Sequence, residues 1–151
     1  MVLNLEKPML KQIFLIVICI LLAFNPNSSF AANDKPSVDV QEIFTSSKTI
    51  EGESFEYPAG KAELRLIRVE VEKGATIPMH SHPIPLMGHI ESGQLTLKKK
   101  LGDKKTFKKG DSFILAANTP PHTMGNTGDS SAIMWVAVAS AEGLPTLNAE
   151  E

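Results

Sequence analysis

The sequence predicts an all-β fold: one antiparallel β-barrel in a single domain. Three observations carry the prediction. Short strand-like runs recur along the chain, the longest of them, residues 62–71, free of Gly and Pro. Glycine-based turn signals separate them at close intervals. Beyond residue 31 no stretch of ten residues shows helical periodicity. Short strands with Gly punctuation are the pattern of sandwiches and barrels. The chain has 151 residues, enough for one core and a short extra segment. Hydrophobic residues make up 42% and charged residues 21%, which excludes bulk disorder. With 15 Lys+Arg against 17 Asp+Glu, nothing in the overall charge favours nucleic acid as a partner.

Residues 1–31 read as a signal peptide. Lys7 and Lys11 precede an uncharged apolar run over residues 13–24, and Ser29 and Ala31 supply small residues before a cut after Ala31. The run falls short of the ~20 residues that span a bilayer, so no stable membrane insertion of the mature chain is expected. The alternative is an uncleaved N-terminal anchor. Cleavage predicts an exported protein, periplasmic or secreted. Cys19 is the only cysteine and leaves with the leader. The mature domain must then be stable without disulfides, and thiolate catalysis and thiolate metal sites are excluded.

The elements follow in order. Residues 32–60 read as a polar tail and a weak edge strand near Ile43 and Phe44. Residues 61–141 read as the barrel. Its first strand, 62–71, alternates from Glu63 and Arg65, slips phase at Leu66-Ile67 and alternates again, which suggests a bulge. Further strands are expected at 76–82, 87–91, 94–100, 105–107, 112–116, 121–126 and 132–139. Residues 142–151 read as a C-terminal tail. Between 98 and 109 stand seven lysines and one acid, Asp103. An anionic polymer or lipid surface is one use for them. A solvated hairpin tip that resists edge-to-edge pairing is the simpler one.

Four histidines carry the chemistry: His80, His82, His89 and His122. On a strand, residues i and i+2 share a face, so His80 and His82 project together and suit a divalent metal. His89 has the opposite parity to Leu86, Gly88 and Ile90 and is expected to face outward, with Glu91.

Gly74, His80, His82 and Gly93, followed by Gly110, His122 and Asn126, resemble the two motifs of the cupin superfamily. The resemblance covers about residues 60–140. It implies a double-stranded β-helix of the jelly-roll type and a metal site of His80, His82 and His122. It also implies pairing of two copies through outer strands, a homodimer. The Glu of the first motif falls at Leu86 or Met87, so the run from His82 to Gly88 resembles a subgroup of small bacterial cupins without it. The Pro and Gly of the second motif are Ala116 and Asn118.

Three imidazoles leave a coordination position open, as catalytic zinc sites do. They do not choose among Fe, Mn, Ni, Zn and Cu. Leu86, Met87, Phe113, Met124 and Trp135 are candidate lining residues for an apolar pocket, with Met79, Leu115 and Met134 beside them. Three functions stay open at this point. One is a metal-dependent enzyme on a small molecule, of dioxygenase, lyase or isomerase type. The second is a non-catalytic barrel that binds a metal or small ligand. The third is a barrel in which the histidines are structural or vestigial.

Overall fold

A computed structural model describes residues 37–150. The predicted signal peptide and its cleavage site lie outside the described residues. The strands are β1 (Ala62–Val71), β2 (Thr76–Ser81), β3 (Leu86–Ser92), β4 (Gln94–Lys99), β5 (Lys104–Lys108), β6 (Ser112–Leu115), β7 (His122–Asn126), β8 (Ala132–Ala141) and β9 (Asn148–Ala149). No helix occurs among the described residues, and so none is long and apolar enough to cross a membrane.

The strands form two antiparallel sheets, β1-β8-β3-β6 and β5-β4-β7-β2-β9. They share one apolar core, to which Leu86, Phe113 and Val136 contribute from the first sheet and Leu95, Leu97 and Met124 from the second. Phe107 of β5 stacks on Phe113 of β6 with ring centroids 4.1 Å apart. Each such side chain stabilises the fold by roughly 2 kcal/mol when taken from water. The chain neighbours are those of a double-stranded β-helix, but the sheets are not closed into a barrel, and this corrects the expected closure. Pro83 and Pro85 lie between β2 and β3. They have no N–H to offer a ladder, so pairing stops where the chain crosses between sheets.

Two local expectations are also corrected. β1 pairs with β8 in unbroken register from Ala62↔Ala141 to Val71↔Ala132, with no bulge. The apparent slip arises because Leu64 and Leu66 point outward, 86% and 70% exposed, whereas Glu63 and Arg65 sit on the inner side with Ile67 and Val69. No strand forms over residues 41–50; the segment makes only an isolated bridge, Lys48↔Ser54.

The bulge is in β2 instead. Its pairing with β7 runs through Ile77↔Met124 and resumes at His80↔His122, with a register shift between. Pro78 falls in that interval and cannot donate to β7. The extra residue restores the parity that brings His80, and with it His82, onto the inner face below Ile77. Gly93 turns β3 into β4 with φ +75. A Cβ there would meet Ala132 Cα at 2.7 Å, so only glycine fits.

Candidate metal centre

His80 and His122 face one another across the β2–β7 ladder, and His82 follows just past the end of β2. All three are buried, His122 completely. Ring centroids are 4.6 Å apart for His80 and His122, 5.0 Å for His80 and His82, and 5.4 Å for His82 and His122. One ligand nitrogen from each ring lies within 4.8 Å of the other two.

The hydrogen bonds identify those nitrogens. His80 Nδ1 donates to the Pro78 carbonyl at 2.7 Å, and His122 Nδ1 to the Pro120 carbonyl at 2.9 Å. His82 Nδ1 donates to the Thr146 carbonyl at 2.8 Å. A carbonyl only accepts, so each Nδ1 carries the hydrogen and each neutral ring keeps its lone pair on Nε2. His122 Nε2 is buried and has no hydrogen-bond partner. A buried acceptor left alone is costly, and three lone pairs turned toward one centre are what a divalent cation satisfies. The site fits the metal on this chemistry. Burial favours the neutral form of two of the rings: it lowers the His82 pKa from 6.5 to about 4, against the Thr146 bond, and lowers that of His122 as well.

The histidines open onto a cavity of about 220 Å³, with Leu86, Phe113, Leu115, Met124, Met134 and Val136 among its walls. Leu86, Phe113 and Met124 are thus brought together with the three histidines. Met87 and Trp135 are not, and neither is Met79; their assignment to this pocket is corrected. Met87 follows Leu86 on the same strand and so points to the other face. It lines a larger groove of about 510 Å³ with Phe44, Tyr57, Leu64 and Leu66, which holds no histidine. Trp135 lies between inward Met134 and Val136, and its indole donates to the Glu91 carboxylate on the outer face. His89 also faces outward, bonded through Nδ1 to Ser112 Oγ at 2.8 Å.

Leu86 occupies the wall where the resemblance would place a carboxylate. The cavity lining contains no Asp, Glu, Lys, Arg or Tyr, so an ion there keeps its full charge toward any ligand. Asn126 is not part of the centre. Its amide donates to the Val71 and Ser130 carbonyls and its oxygen accepts from Gly128 N, which fixes the loop after β7.

Sequence reasoning missed Thr146 and Leu147, which complete the cavity wall. The Pro-x-His pattern, repeated at Pro78-Met79-His80 and Pro120-Pro121-His122, is a signal for the two local anchors. Nothing in the sequence marks Thr146 as the third.

A family model described as a cupin domain matches residues 67–139. Among solved structures, a polyketide cyclase of Streptomyces resistomycificus aligns with a TM-score of 0.50 at 15% identity, covering 61% of this chain and 63% of its own. The match thus spans less than two thirds of that protein. An uncharacterised protein with a double-stranded β-helix domain from Klebsiella pneumoniae subsp. pneumoniae also scores 0.50, at 18% identity, covering 74% of this chain and 92% of its own. At these identities the likeness is one of fold. No curated protein matches the sequence.

Proposed function

Because the chain belongs to the cupin superfamily, we propose that it holds one divalent transition metal on His80, His82 and His122 and presents it to a small, largely apolar molecule. The observation that carries this reading is the set of three Nδ1-anchored imidazoles whose remaining nitrogens converge at an apolar-walled cavity. A bound ion supplies Lewis acidity and open coordination positions. The chain's own part is to orient the imidazoles, to exclude water with apolar walls, and to select by shape a ligand that fits about 220 Å³. The fold does not choose the reaction, and dioxygenase, lyase and isomerase chemistry all remain within reach of such a site.

A second reading, a non-catalytic metal- or ligand-binding protein, is favoured by one observation. Apart from the histidines, no group lining the cavity titrates near neutral pH, so proton transfer has no side chain to use. We place the protein outside the cytoplasm after cleavage near Ala31, supported by the N-terminal sequence, and we assign it a homodimer.

Metal content by mass spectrometry, on untagged protein from its native compartment, tests the site. About one equivalent of one transition metal is the expected result. No metal, and none acquired from added Fe, Mn, Ni, Zn or Cu, overturns it. Oxygen uptake by the iron-loaded protein with small apolar candidates then separates a dioxygenase from a binder.

A further inference from the structure

The three imidazoles are not anchored alike. His80 and His122 each bond a carbonyl two residues back on their own strand. His82 bonds Thr146, 64 residues away in sequence. Thr146 belongs to a strap, residues 144–150, that leaves the turn after β8 and crosses from the first sheet to the second. At its start, Arg65 of β1 holds it twice: Nη1 donates to Thr146 Oγ1 at 3.0 Å and Nη2 to the Leu144 carbonyl at 2.9 Å. Glu63 accepts from the same Nη2 at 2.6 Å and fixes the guanidinium. At its far end β9 pairs with β2 at His80 and Ser81, Glu150 N donates to the Met79 carbonyl at 3.0 Å, and Ser81 Oγ donates to the Glu150 carboxylate. In between, Thr146 and Leu147 wall the cavity, and Leu147 is 43% exposed to solvent.

We propose that Arg65 is a positioning residue for the metal centre. It acts through the strap, holding the Thr146 carbonyl where it fixes the tautomer and ring orientation of His82. This deepens the three-histidine reading of the site and rests on it. Two ligands are set by their own strand and stay in place whenever β2 and β7 are paired. The third is set by a segment whose start is held by the Leu144 N–H to Ala141 carbonyl bond, by packing of Leu144 on the core, and at Thr146 itself, His82 apart, by the Arg65 guanidinium alone among the described side chains. His82 is therefore the ligand that loosens first, and the strap is the path by which the centre opens to solvent. A planar guanidinium with donors on both arms reaches two acceptors at once, which an ammonium does not. Partners of this kind, one step behind a ligand, typically govern metal affinity by about ten- to a hundred-fold.

Imidazole nitrogen spectra of the metal-free protein, at one fixed, mildly alkaline pH, test this without relying on metal. In the wild type all three rings are expected as single Nδ1–H tautomers. In Arg65→Ala, His82 alone is expected to lose that signature while His80 and His122 keep theirs. Arg65→Lys restores it in part, and Thr146→Val, which keeps the carbonyl and loses one tie, gives an intermediate spectrum if Arg65→Ala fails to fold. Arg68→Ala, whose partner is Glu70 on the outer face, leaves all three rings unchanged. An unaltered His82 spectrum in both Arg65→Ala and Thr146→Val overturns the proposal, whether or not the protein binds metal. Cobalt(II) release provides the second readout, expected to be about ten-fold or more faster in Arg65→Ala than in the wild type. Failure of the wild type to bind cobalt or any other metal counts against the metal reading and leaves the spectra to decide on Arg65.

Discussion

The three histidines divide the work unequally, and the differences can be measured. His122 is completely buried, its Nδ1 is satisfied locally, and its Nε2 faces no protein partner. His122→Ala removes that orphan acceptor and one ligand together. We expect metal affinity to fall by at least about a hundred-fold, while the metal-free fold stays within about 2 kcal/mol of the wild type because removal of the buried unpartnered Nε2 offsets part of the lost packing and of the lost bond to Pro120. Stoichiometric metal in that variant, measured by mass spectrometry, would count against the centre. The same burial makes the metal-free protein acid-sensitive. His82 titrates at about 4 in the folded chain and at the ordinary 6.5 when unfolded. Between those values the unfolded chain binds more protons, so stability is full above about 6.5 and falls as pH drops toward 4, by roughly 3 kcal/mol for this residue. Burial of His122 acts in the same direction. Denaturant titrations of the metal-free protein at about pH 7 and about pH 4.5 check the sign; equal midpoints would refute it. His80 and His82 were legible in the sequence because a two-residue spacing on a strand has a geometric meaning, and His122 was legible only through the family resemblance. Met87 and Trp135 were misplaced because size and apolarity do not report parity.

Elements were legible where strand period and glycine punctuation agreed. Seven of the nine strands fall within a residue of their expected ends at both termini. β8 runs two residues further than expected, to Ala141, and β9 was not anticipated. Two residues in a segment with Pro145 give no period to read. β1 was misread inside correct bounds: its inner face begins with an acid and a base, so hydrophobicity pointed the wrong way at the position that matters most to the strap. A different constraint lies in β3. Gly88 pairs with Phe113 of β6, and a Cβ on Gly88 would lie 2.4 Å from the ring. The aromatic therefore lies over the glycine while lining the cavity. Gly88→Ala must push Phe113 off the glycine. We expect a loss of about 1–3 kcal/mol in thermal or chemical denaturation and a changed affinity for small apolar ligands, with metal stoichiometry kept because no ligand histidine moves. Wild-type stability in this variant would show that the ring relaxes freely and that the cavity wall is softer than its packing implies.

At the scale of the molecule, two of the four sheet edges are treated differently. β5, at one edge of the five-stranded sheet, carries Lys104, Lys105 and Lys108, the usual protection against unwanted pairing. β1, at the edge of the other sheet, is ten residues long and has no lysine, only acids and bases paired within the strand. Its outer face shows Leu64 and Leu66 beside the apolar groove that Met87, Phe44 and Tyr57 also line. Its charges are Glu63, Arg65, Arg68 and Glu70, balanced within the strand, so a second β1 running antiparallel meets no net repulsion. A long edge with no net charge and two exposed leucines is a candidate for pairing, and the occupant these features suit is a second copy of the same strand about a two-fold axis. We therefore expect the protein to sediment as a dimer at micromolar concentration. Leu66→Lys is expected to convert it to a monomer by placing like charges opposite one another, with the metal content unchanged because Leu66 faces away from the histidines. Light scattering and sedimentation on both proteins decide the matter. A monomeric wild type, or a Leu66→Lys variant that stays dimeric, would remove β1 from any interface and leave the exposed leucines without a partner.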